Sequence, residues 1–140
     1  MNIKDLIEKD LIRKQSIDQE EIKGSIVMSE RFLQRADGNL EMSFFDISFL
    51  LAYTAMFHAA RALLFKAGYK ERSHFGMIAA LKEVYSKDPE ILACLNTLDT
   101  YRLARHSVQY SGELSNELDA VQSIKDAKKF VKIVKTRLKL

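Results

Sequence analysis

The stretch from Phe44 to Ala67 is the most apolar in the chain and limits the choice of fold more than any other feature. Its longest charge-free run, Ile47 to Phe57, stops before His58 and Arg61. Such a run is too short to span a bilayer, which takes about 20 residues. Phe49, Tyr53, Met56, Phe57, Ala60, Leu63, Leu64 and Ala67 recur at spacings of three and four, the period of a helix. The segment therefore reads as a buried core helix, capped by Ser43 with Asp46 in its first turn and ended by Gly68. A helix this apolar must be surrounded, so the rest of the chain has to supply partners.

It does so as further helices. Residues 2–14 form a short amphipathic helix through Ile3, Leu6, Ile7 and Leu11. Ser16-Ile17-Asp18-Gln19 reads as a capping box for a helix from Ile17 to Ala36, stopped by Asp37-Gly38-Asn39. Its inner face is Ile22, Ile26, Ser29, Leu33 and Ala36. Ser73 starts a shorter helix through Met77, Leu81 and Tyr85. Asp88-Pro89 starts another, with Pro in the first helical position, which carries Ile91, Leu95 and Leu98 to a stop near Ser111-Gly112. The last helix begins near Ser115, with a stripe of Leu118, Val121, Ile124, Ala127, Val131, Val134 and Leu138. No stretch alternates as a half-buried strand does. The expectation is an all-α protein, an antiparallel up-and-down bundle of four main helices with short additional ones, forming one domain over residues 1–140.

Composition narrows the function classes. One Pro and five Gly in 140 residues exclude collagen-like, linker-like and disordered chains. Cys94 is the single cysteine, so there is no internal disulfide framework and no cysteine-rich zinc module; a reducing, cytoplasmic setting is the simplest reading. The N-terminus alternates charged and apolar residues and is not a signal peptide. A net charge of +3 permits an anionic partner without demanding one. The sequence contains no P-loop, G-x-G, H-E-x-x-H or C-x-x-C motif. Glu71-x-x-His74 is a lone Glu-x-x-His pair, since neither His58 nor His106 follows a Glu by three, and a di-iron bundle requires such pairs on two helices. Neither a metal nor a cofactor is expected.

Polar side chains thicken where the stripe of Ile91, Leu95 and Leu98 should continue. Arg102 follows Leu98 by four, and an arginine there must reach a carboxylate, solvent, another subunit or an anionic ligand. Arg102, His106 and Tyr110 form one row at spacings of four, with Arg105 beside it. Arginine grips phosphate bidentately, histidine moves protons near neutral pH, and tyrosine stacks or hydrogen-bonds. The row is thus a candidate phosphate or nucleic-acid site; the plainer alternative is a polar helix end with Arg102 paired to an acid and Tyr110 half-buried.

Other residues carry less. His58 reads as a core or surface histidine, Ser73-His74 as a helix cap and its neighbour, and Cys94 as a small apolar group. Lys125, Lys128, Lys129, Lys132, Lys135, Arg137 and Lys139 make the last helix basic, which suits RNA or acidic protein but equally a solvated face.

The block Tyr53-Thr54-Ala55-Met56-Phe57-His58-Ala59-Ala60-Arg61-Ala62-Leu63-Leu64, then Gly68, Ser73-His74-Phe75-Gly76 and Arg105 to Tyr110, resembles the HEPN family (higher eukaryotes and prokaryotes nucleotide-binding domain), nearest to its small stand-alone prokaryotic subgroup. The likeness spans nearly the whole chain. It implies a bundle of antiparallel helices, commonly a homodimer, often paired with a minimal nucleotidyltransferase in a toxin–antitoxin module. The family's active branch cuts RNA without metal through an Arg-(four to six residues)-His motif at a dimer cleft. The Arg there stabilises the phosphoryl transition state, and the His transfers protons. The motif Arg falls on Arg105, the polar residue after it on His106, and the motif His on Tyr110, so the pattern reads Arg-x4-Tyr. A tyrosine that partners nucleotidylate in some members corresponds to Gly112.

The resulting expectation is a cytoplasmic, dimeric HEPN-type protein that binds nucleotide or RNA without a membrane, with a nucleotidyltransferase as its partner protein. Its site is Arg102 and Arg105 for phosphate, His106 for proton transfer or hydrogen bonding, and Tyr110 for stacking or positioning. Two alternatives stand beside it: a metal-independent endoribonuclease using Arg105, His106 and Tyr110, and a helical dimeric interaction module without ligand chemistry.

Overall fold

A computed structural model describes residues 1–110 and 115–140, with the side chain of Tyr110 outside the described set. Among the described residues six helices, α1 (Ile3–Glu8), α2 (Gln19–Glu41), α3 (Phe45–Lys66), α4 (His74–Val84), α5 (Pro89–Tyr110) and α6 (Glu117–Leu138), follow one another with two short strands, β1 (Ile12–Lys14) and β2 (Tyr69–Glu71). The four long helices are the expected bundle.

The apolar segment is its axis. α3 packs against α2, α4, α5 and α6, and Ala52, Ala55, Ala59, Ala60 and Ala62 along it are fully buried. Small side chains on several faces let the neighbours approach closely. α3 is long and apolar enough to cross a bilayer by length and composition, but most of it faces protein, which accounts for its apolarity. α2 turns back onto α3 through residues 42–44, where Ser43 takes a positive φ of 61°. Two buried hydroxyls join the pair: Ser29 donates to the Ala55 carbonyl at 2.6 Å and Ser48 to the Ala36 carbonyl at 2.8 Å.

Several boundaries differ from the sequence reading. The first helix ends at Glu8, because Asp10 turns the chain with a φ of 56°, and Ile12–Lys14 becomes a strand paired antiparallel with Tyr69–Glu71. Three-residue strands are too short to show alternation in a sequence. Asp18, not Ser16, caps α2 by accepting the Glu20 N–H. That helix runs through Gly38 to Glu41, since Gly38 faces open space and costs only its propensity. The N-cap of α3 is Phe44, which makes no side-chain cap, rather than Ser43. α6 starts after Asn116 rather than at Ser115. On it Leu118 is 79% exposed while Phe130 takes a place in the core. The predicted stop at Ser111-Gly112 lies outside the described residues.

The small ribbon positions α4. Gln15 N–H donates to the Gly68 carbonyl and Arg72 N–H to the Leu11 carbonyl, tying both ends of β2 to the segment around β1. Gly68, at φ 87°, makes the turn from α3 into β2. A Cβ on Gly76 would lie 2.2 Å from the Leu11 carbonyl oxygen. Glycine there is what allows the first turn of α4 to press against the chain before β1.

Candidate anion-binding cleft

The start of α4 and the second half of α5 enclose an open cleft of about 430 Å³, lined by Ser73, His74, Phe75, Arg102, Leu103, Arg105 and His106. On the α4 side, Ser73 is the N-cap and accepts the Gly76 N–H at 2.8 Å. The positive end of the α4 dipole therefore meets the cleft, a disposition that favours anions. On the α5 side, three of the four residues singled out in the sequence come together: Arg102, Arg105 and His106 share this cleft. The backbone of Tyr110 ends α5, but its side chain lies outside the described residues.

The two arginines are held differently. Arg102 Nε donates to Asp99 Oδ1 at 2.8 Å, one turn earlier on the same helix. This is the carboxylate partner that an arginine at the end of an apolar stripe requires. Arg105 reaches inward instead: its guanidinium carbon sits 5.0 Å from the centroid of the Tyr53 ring, a cation–π contact, and its Nε is buried without an acceptor among the described residues. A buried, charged donor lacking an acceptor is costly unless something anionic completes it.

Beneath the arginines lie two residues that sequence reasoning left out of the site. Tyr53, on α3, is 2% exposed, and its hydroxyl is 2.6 Å from His74 Nδ1 on α4. The His74 ring also packs on Phe57, with centroids 4.2 Å apart. Burial, then Arg105 and Arg102, hold the imidazole down at about 4, so it is neutral at pH 7. Burial pushes the Tyr53 phenol up to about 12, against the opposing pull of both arginines, so it keeps its proton. One signal could have marked Tyr53: a tyrosine within an apolar stripe must find a partner for its hydroxyl. No periodicity could have named His74 as that partner.

The remaining candidates lie elsewhere. His58 stacks on Phe32 at 5.5 Å, and its pKa is lowered by burial and then by Arg61. Arg61 pairs with Glu71 at 2.7 Å. Cys94 is buried in the core, as its neighbours implied, and burial raises its thiol pKa. On α6, Lys128 pairs with Asp37, Lys135 with Glu30, and Arg137 with Asp88 and Glu90, so part of the basic run ties α6 to α2 and α5. Among the described residues no group of His, Cys, Asp and Glu gathers to hold a metal ion.

The fold and the cleft together define a helical bundle with two arginines and a histidine set beside a helix N-terminus. The HEPN domain profile matches residues 22–137, and the chain belongs to this family. It is 28% identical to a UPF0332 protein of Archaeoglobus fulgidus over 120 residues, covering 83% of this chain and 94% of that one. In fold it is similar to TT1696 from Thermus thermophilus, with a TM-score of 0.66, 18% identity, and coverage of 82% of this chain and 96% of that one. It is also similar to ST0689, an archaeal HEPN homologue, with a TM-score of 0.64, 24% identity, and coverage of 83% and 96%.

Proposed function

We propose that this HEPN protein binds the phosphate of a nucleotide or of RNA in the cleft between α4 and α5. The observation that carries the reading is the approach of Arg102 and Arg105 to the N-terminus of α4, with Arg105 Nε buried and lacking an acceptor among the described residues. Two guanidinium groups and a helix N-terminus supply charge and directional donors to one anion. The family points toward nucleotides and RNA in general. The test is thermal unfolding with AMP, ATP or a short RNA, because a ligand that binds only the folded state raises its stability. The wild type is stabilised and the Arg102→Ala/Arg105→Ala double variant is not. Equal behaviour of the two, or no response from either, removes the reading and leaves an interaction module without ligand chemistry.

In the same proposal the working unit is a cytoplasmic homodimer of one-domain chains, paired with a minimal nucleotidyltransferase. Phe75, 43% exposed, and Leu103, 60% exposed, border the cleft and suit a second surface. Sedimentation of the pure chain tests the dimer, and co-purification with a nucleotidyltransferase encoded beside it tests the pairing. A second reading, metal-independent RNA cleavage, is favoured by His106 sharing the cleft with both arginines. It requires cleavage in EDTA that is lost in Arg105→Ala and His106→Ala.

A further inference from the structure

We infer that His74 is a ligand-binding residue of the cleft, a neutral imidazole that offers its Nε2–H to a phosphate oxygen, and that Tyr53 is the positioning residue that fixes this tautomer. The inference rests on the phosphate-binding reading above and deepens it. The buried Tyr53 hydroxyl has no other hydrogen-bond partner among the described residues, so its proton goes into the 2.6 Å contact and Nδ1 is the acceptor. In a neutral ring the proton then sits on Nε2. Nε2 makes no hydrogen bond among the described residues, and His74 lines the cleft. The ring cannot easily turn away, with Phe57 at 4.2 Å on one side and the first turn of α4 pressed on Leu11 behind it.

The chemistry suits an anion already claimed by two arginines. A charged imidazole beside Arg102 and Arg105 adds repulsion in the empty cleft, whereas a neutral N–H adds a directional donor without it. Tyr53 also carries Arg105 on its ring, 5.0 Å from the centroid. One buried side chain therefore orients two of the groups that meet the ligand.

The first test needs no ligand. Long-range ¹H–¹⁵N correlation spectra of the full chain at pH 7 should show His74 with Nε2 protonated and Nδ1 bare, and Tyr53→Phe should mix the two tautomers. A wild-type ring that is charged, or protonated on Nδ1, overturns the inference even if the cleft binds phosphate. The second test titrates AMP, hexauridylate and inorganic phosphate, which separates nucleotide, RNA backbone and free ion as the source of the phosphate. His74→Phe should weaken the bound probe about tenfold, the loss of one good hydrogen bond, and Tyr53→Phe about twofold, because only the competent tautomer of a mixed population binds. His74→Gln, which keeps a donor, should recover most of the His74→Phe loss. Unchanged affinity in Tyr53→Phe, or His74→Gln no better than His74→Phe, overturns it. If the wild type binds none of the three probes, the phosphate reading itself fails, and the donor role of His74 falls with it.

Discussion

The hydroxyl of Tyr53 and Nδ1 of His74 stand 2.6 Å apart, a hydrogen bond between the most buried helix and the first turn of a short one. It crosses from α3 to α4 directly below the arginines of α5. Removing the hydroxyl in Tyr53→Phe leaves Nδ1 without its donor while keeping the ring that supports Arg105. The expected cost to stability is about 1 kcal/mol, the usual net worth of such a bond. Urea unfolding at pH 7 measures it, and a variant as stable as the wild type contradicts the pairing.

Acid should weaken the protein through the same imidazole. His74 titrates at about 4 when folded, against an ordinary 6.5. The unfolded chain therefore binds the proton more readily, and stability falls as the pH drops from about 6.5 toward 4. His58, also shifted down, acts in the same direction. His74→Gln should flatten part of the decline in the unfolding midpoint across that window. Arg105→Ala should move the His74 titration upward, because Arg105 is the larger of the two charges depressing it. A His74 resonance that titrates at its ordinary value in the wild type counts against both expectations.

Gly76 and Gly24 should respond oppositely to alanine. At Gly76 the new methyl meets the Leu11 backbone at 2.2 Å, so Gly76→Ala must displace the start of α4, at a cost of about 1–3 kcal/mol. Ligand binding in the cleft should weaken with it. At Gly24, in the middle of α2, nothing lies within 4 Å. Gly24→Ala should therefore stabilise by about 0.5–1 kcal/mol. Thermal unfolding of the two variants side by side decides the matter, and destabilisation by Gly24→Ala refutes the second half.

Arg137 near the end of α6 closes the bundle onto the start of α5. It meets Asp88 at 2.8 and 3.2 Å and Glu90 at 2.8 Å. The guanidinium holds the Asp88 carboxyl below its usual range. That stability is present above the unfolded carboxylate pKa and fades as the pH falls through the folded one. Arg137→Ala should lower the melting temperature at neutral pH, by less in high salt, which screens exposed ion pairs. An equal effect at both salt levels argues for packing rather than charge.

Much of the architecture is legible in the residues because helix formation leaves a local trace. Ile91, Leu95 and Leu98 are all in the core, as their spacing requires, and Gly68 turns the chain where α3 must stop. Ser73 and Pro89 stand at the starts of α4 and α5. Arg102, Arg105 and His106 are legible as a polar interruption of that stripe. The local trace is weakest at short elements. Ile12–Lys14 pairs with Tyr69–Glu71 across a long stretch of intervening chain, and neither strand is long enough to declare itself.

Periodicity along the chain thus marked the long helices and most of their inward faces, because a 3.6-residue repeat is written in neighbouring positions. Which side chains from separate helices meet is not written there. Tyr53 and His74 touch because α3 and α4 pack together and because Gly76 lets α4 come close to Leu11. The neutral imidazole below two guanidinium groups follows from burial and distance, quantities that exist only once the helices are assembled.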